Sequence, residues 1–404
     1  MRAALKKLGP GLLFAGAAIG VSHIVQSTRA GADFGLGLLW ALLLVNLFKY
    51  PFFQFGPRYA SATGESLLDG YKKLGKGILV TYYILTFATM FTIQTAVTIV
   101  TAGLASSLFG DFLSIEMWTV VILIICLLLL IIGRYNLLDT LIKIIIITLT
   151  ISTLGAVAVA VFSNEESISL VQIFPKETLE IGFLIAFMGW MPAPLDISVW
   201  HSLWTIEKRK DNDSFETKSA LFDFNIGYLS TIILGICFVV LGYLVMYNQN
   251  QSFSNNGGEF ANQLIDMYTS SLGNWSYVII GIAAFTTMFS TTLTTLDASP
   301  RAMHKTSQLL FGKTFNKGYL FWILLLAVGT IIIFFVFASE MGLLVKIATI
   351  LSFLTAPFYA IINYKLISSE HTPKEWRPSL KMHVLSWLGI IFLIGFSVWY
   401  LTLL

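Results

Sequence analysis

IGFLIAFMGWMPAPLDISVWHSLW, residues 181–204, is long and apolar enough to cross a membrane, yet it cannot do so as one continuous helix. Pro192 and Pro194 stand two residues apart, so two amide donors are missing and each ring clashes with the turn before it. Gly189 precedes them and Asp196 follows. In lipid, such a break survives only where protein or a water-filled cavity satisfies the freed carbonyls. A carboxylate at this depth adds a cost of roughly a few kcal/mol unless it faces an interior site. The stretch therefore predicts a broken span turned toward a polar interior.

A second such stretch lies near the start of the chain. Residues 9–35 read GPGLLFAGAAIGVSHIVQSTRAGADFG, with a polar, flexible middle at Gly20-Val21-Ser22-His23, followed by Gln26, Ser27, Thr28 and Arg29. Working outward from both, spans are expected at about 10–33, 37–60, 77–108, 117–133, 137–162, 179–205, 221–247, 275–303, 318–338, 341–366 and 384–402. The two breaks are then the first spans of two successive sets of five. Interrupted spans at matching positions of two halves point to a transporter with inverted repeats and a site between the broken helices. The chain reads as a single transmembrane domain over 1–404, with repeats over about 10–162 and 179–366 and an extra helix at about 384–402.

Composition agrees. Of 404 residues, 56% are hydrophobic and only 12% charged, and mean hydropathy is +0.79. That excludes an ordinary soluble domain. Cytoplasmic loops collect Lys and Arg. With the N-terminus inside, 20 of the 25 basic residues fall on one side, around 2–7, 58–76, 134, 208–218, 301–317 and 365–381. The other side holds only Lys176, and the C-terminus lies outside. The longest outer segment, about 248–274, is rich in Asn, Gln, Ser and Gly and reads as a loop. No cleavable signal is visible, which fits a bacterial inner membrane. Cys126 and Cys237 sit in apolar runs and read as small hydrophobes.

Beyond these features the sequence resembles a divergent member of the NRAMP family of divalent-metal transporters, which have the LeuT-type fold. The similarity rests on GPG at 9–11, RAGADFG at 29–35, RYASATGESLLDGY at 58–71, Met191-Pro192, Asp223 and the Ser/Thr run at 290–295, in order and at similar spacing. The resemblance implies eleven transmembrane helices in a 5+5 inverted repeat plus one, with helices 1 and 6 broken. It also implies a cargo site where an Asp-Pro-Gly-Asn motif and a Met-Pro-His motif meet. The ungapped positions here are Gly20-Val21-Ser22-His23 and Met191-Pro192-Ala193. The family's Asp and His ligands are thus replaced, and its proton-carrying acids in span 3 align with Gln94 and Val97.

The candidate binding residues are therefore Gly20, Ser22, His23, Gln26, Met191, Pro192, Ala193 and Asp196, with His201, Asp223 and Gln94 as candidates for coupling or gating. His23, Met191 and Asp196 together offer imidazole, thioether and carboxylate to a transition metal. Asp196, Ser22, Gln26 and backbone carbonyls instead suit a hydrated Mg²⁺. Structural readings stand beside each: His23 as a hydrogen-bonded residue of the kink, Asp196 as a helix cap, Met191 as packing. Asp223 is a candidate partner of Arg29 or Lys49. Trp190, Trp200 and Trp204 flank the second break and suit an organic cation. The expected function is transport of a divalent cation with altered selectivity and weak or no proton coupling. The alternative is a small organic solute such as an amino acid or amine. No nucleophile–base pair, phosphate loop or zinc motif marks an enzyme. No cofactor or nucleic-acid partner is expected; the partners are the lipid bilayer and a small substrate, and the chain is expected to be a monomer.

Overall fold

The computed structural model describes residues 9–110, 112–132, 135–164, 168–211, 216–247, 253–254, 257–312, 317–336 and 341–403. Among the loop cations, Arg2, Lys6, Lys7, Arg134 and Lys313 lie outside the described residues. All regular elements among the described residues are helical.

The spans follow the expected order. Span 1 is Pro10–Ala18 and Ser22–Phe34, bent by 48° at the break. Leu39–Thr63, Lys76–Phe109, Ile115–Ile132 and Tyr135–Phe162 are spans 2 to 5. Span 6 is Thr178–Trp190 and then Ile197–Asp211, with the Pro192/Pro194 stretch unwound between them. Thr217–Val245, Tyr277–Phe311, Gly318–Val336, Met341–Ser368 and Leu380–Leu401 are spans 7 to 11. Two short helices lie outside this series. Leu67–Leu74 follows span 2, opened by a capping box between Ser66 and Asp69. The second, Gly257–Leu272, corrects the loop reading of this region. Its polar composition hides Phe260, Leu264 and Tyr268, which recur every fourth residue and are all buried.

Burial divides the spans as a bilayer requires. Spans 4, 9 and 11 expose stripes of large apolar side chains, for example Ile124, Leu128 and Ile131, or Ile391, Ile394 and Val398. Such a stripe is stable only against lipid. Spans 1, 3, 6 and 8 are central, with span 3 lying along span 8 and both halves of span 1 against span 7. Glycine makes the span 1–span 7 contact possible. A Cβ on Gly11 would lie 2.2 Å from the Asp223 carbonyl, and one on Gly31 would lie 2.0 Å from the Val239 carbonyl. Backbone cannot yield there as a side chain tip can. Gly31→Ala is expected to force span 1 off span 7 at a cost of about 1–3 kcal/mol. Thermal unfolding in detergent reads it, and an unshifted midpoint would disprove the contact.

Candidate functional site

The two breaks meet. Ser22 Oγ donates to the Ala18 carbonyl at 2.6 Å and lies 3.3 Å from the Pro192 carbonyl, joining the kink of span 1 to that of span 6. Beside this contact is a closed cavity of about 20 Å³, walled by Ala17, Val21, Ile93, Val97, Trp190 and Trp200. That is room for about one water. Larger cavities open at either end of the bundle. One of about 300 Å³ is lined by Gln26, Arg29, Asp33 and Lys346. The other, of about 510 Å³, is lined by Pro10, Glu207, Lys208, Asp297, Arg301 and Lys305. A pinched centre between two polar vestibules is an occluded arrangement.

At the first break, His23 is fully buried and both ring nitrogens are engaged. Nε2 lies 2.9 Å from the Thr231 carbonyl, an atom that only accepts, so Nε2 carries the proton. Nδ1 then faces the Ser22 hydroxyl at 2.7 Å and the Ala18 carbonyl at 3.1 Å. Neither nitrogen offers a free lone pair to a metal. Gly20 closes the turn, its carbonyl accepting from the amides of His23 and Ile24. A Cβ there would press on Thr291 at 2.9 Å.

At the second break, the carbonyls freed by the prolines are accounted for almost one by one. Pro192 has Ser22; Pro194, Leu195 and Asp196 accept from the amides of Ile197, Ser198 and Val199. Lys49, from span 2, takes the rest. Its fully buried ammonium lies 2.8 Å from the carbonyl of Met188 and 2.7 Å from that of Gly189. It lies 3.2 Å from that of Met191 and 3.4 Å from that of Ala193. Asp196 receives the amide of Ile197, the cap role, but its Oδ1 is buried without a partner. Its charge is felt by Lys49, Tyr71, Tyr82 and Tyr359. Met191 turns elsewhere, its sulfur packed beside Gly235 of span 7. Imidazole, thioether and carboxylate therefore do not converge, and the described residues contain no group of three or more His, Cys, Asp or Glu placed to hold a metal.

The remaining candidates have structural work. Asp223 does not pair with Arg29 or Lys49 as the sequence suggested. Its two oxygens accept from the amides of Gly9 at 3.1 Å and Gly11 at 2.7 Å, holding the start of span 1. Arg29 lies toward the other end of that span, near Asp33. Gln94 bonds Thr98, the Thr292 carbonyl and the Thr295 hydroxyl, tying span 3 to span 8. Gln26 sits in the 300 Å³ vestibule, not at the centre. His201 stacks on Phe14 at 5.6 Å, with neither nitrogen hydrogen-bonded.

The sequence model of the natural resistance-associated macrophage protein-like family, Nramp, matches residues 11–403. The chain belongs to the Nramp family. It is 36% identical over 403 residues to an uncharacterized protein of Pasteurella multocida, covering 98% of this chain and 92% of that one. Its fold is that of a manganese transporter of Eremococcus coleocola, at 16% identity and a TM-score of 0.72, covering 98% of this chain and 86% of the other. It also matches MhsT, solved with L-phenylalanine, at 14% identity and a TM-score of 0.68, covering 96% and 98%. This Nramp protein is thus a multi-pass membrane transporter of the LeuT-type fold, and not an enzyme. The family's cofactor-free chemistry applies to it.

Within this Nramp chain the residue that sequence reading passed over is Lys49. Its signal was present: a lysine inside the apolar run LFKYPFF, residues 47–53. An ionisable residue at membrane depth marks a functional position by default.

Proposed function

We propose that the protein is a secondary transporter carrying a divalent metal cation, of the Mn/Fe type or as hydrated Mg²⁺, by alternating access. Its selectivity is altered from that of the family's ligand set, and its proton coupling is weak or absent. One observation carries this reading: the two broken helices of an Nramp chain touch at Ser22 and Pro192, midway between two polar vestibules. A cation that keeps part of its water needs few protein ligands. Ser22, the carbonyls of Gly20, Pro192 and Ala193, and the carboxylate of Asp196 supply that kind of contact, with Gln26 at the entrance. His23 and Met191 shape the break. The neutral Gln94, already bonded, supports the loss of proton coupling. His201, packed between spans 1, 6 and 7, is the proposed gate.

The basic loops favour an N-terminus in the cytoplasm and a C-terminus outside, in a bacterial inner membrane. The 510 Å³ vestibule is then the inner one. We take the repeats as about 10–162 and 179–366, and the working unit as a monomer that does not engage nucleic acid.

Uptake into proteoliposomes tests this. Mn²⁺ or Mg²⁺ flux is expected to saturate and to fall at least about tenfold in Asp196→Ala, the size of about 1.4 kcal/mol or more in binding. His23→Ala is expected to lose stability along with flux. Metal flux untouched by both variants would sink the proposed site. A second reading, transport of an amino acid or amine, is favoured by the Trp190 and Trp200 walls of the central cavity. Saturable uptake of such a solute without metal flux would establish it instead.

A further inference from the structure

Four carbonyl oxygens converge on one point beside the second break. Those of Met188 and Gly189 belong to the last turn of Thr178–Trp190, where a helix leaves carbonyls unsatisfied and its dipole is negative. Those of Met191 and Ala193 come from the unwound stretch. Oxygens of a helix C-terminus and an unwound segment are how transporters of broken helices hold small cations. Here the point is filled by Nζ of Lys49, at 2.7 to 3.4 Å from all four. An ammonium has three protons, so four acceptors within reach exceed what it can bond at once. The cradle is an oxygen shell around a charge, with the buried carboxylate of Asp196 as the nearby opposite charge. Nothing else in the described structure is built to need a lysine there: its stem runs through buried apolar packing, and its head reaches no solvent.

We propose that this oxygen cradle is a monovalent-cation site that the chain fills with its own Lys49, so that the break in span 6 is held by a tethered ammonium and not by a free ion. The inference rests on the geometry of the break and not on the identity of the cargo. Lys49 is thus a positioning residue. It fixes the conformation of Met191–Asp196 whatever crosses the membrane, and the wild-type protein has no requirement for Na⁺ or K⁺ to form its site.

The test is chemical rescue of Lys49→Ala in the purified full-length chain. Thermal unfolding is followed in chloride salts of Na⁺, K⁺, ammonium and methylammonium, against N-methylglucamine at equal ionic strength. Wild type is expected to give the same midpoint in all of them. Lys49→Ala is expected to melt several degrees lower in N-methylglucamine, and to recover saturably with at least one small cation. Adding Asp196→Asn is expected to remove that recovery. A folded Lys49→Ala with equal midpoints in every salt would overturn the proposal. If Lys49→Ala does not fold in any salt, Lys49→Gln, which keeps amide donors, takes its place. A folded Lys49→Gln that ignores the choice of cation would overturn it equally. None of these readouts uses transport, so failure here is distinct from failure of the cargo assignment.

Discussion

Asp223→Ala is expected to abolish measurable uptake and to lower stability by about 3 kcal/mol, at the low end for two hydrogen bonds to a charged group. The carboxylate accepts from the amides of Gly9 and Gly11, two of the donors that a helix start cannot satisfy within itself. It also places a negative charge at the positive end of the helix dipole. Because Asp223 belongs to span 7, the cap crosses between helices and fixes how the first half of span 1 enters the bundle. Gly11 and Gly227 allow that approach, a Cβ on Gly227 falling 2.1 Å from the Gly11 carbonyl. Asp223→Asn keeps one acceptor and is expected to fall between wild type and Asp223→Ala. The measurements are thermal unfolding in detergent and initial rates in proteoliposomes. An Asp223→Ala protein as stable and as active as wild type would remove the cap from the account.

The second large effect belongs to Lys49 and Asp196. Removing one member of a buried charged pair leaves the other uncompensated, which typically costs about 3–5 kcal/mol. Lys49→Met and Asp196→Asn are each expected to destabilise on that scale. The double variant is expected to cost less than the sum by about 0.5–3 kcal/mol, the range for residues coupled in one network. It will not return to wild type, since the carbonyls of Met188 and Gly189 still lack their donor. Strict additivity in the cycle would show that the two charges act independently.

How far the chain could be read in advance follows from where its information lies. Both breaks were legible because proline and glycine act through their own backbone. The span order was legible because apolar length is local. His23 was not, because its role depends on the Thr231 carbonyl, 208 residues away. Asp223 misled for the same reason: a charge early in a span looks like an ion-pair partner until the helix start it caps is folded against it. Lys49 was visible as an anomaly, but not the four carbonyls that explain it. The helix at 257–272 was missed because three buried side chains are outvoted by their polar neighbours.

One feature of span 1 has a bearing on which changes of length the chain can tolerate. Residues Ser22–Ser27 form a π-helical turn, which carries an extra residue relative to the α-helix around it. Each residue of an α-helix advances the face by about 100°. Deleting one residue within 22–27 would let the turn relax to α, but would swing Thr28–Phe34 around by that angle. Gly31 would leave its seat on Val239, and Arg29 would leave the vestibule it lines. The wide turn thus sets the phase between the two halves of the helix, and a single lost codon there would be more damaging than most substitutions along the span.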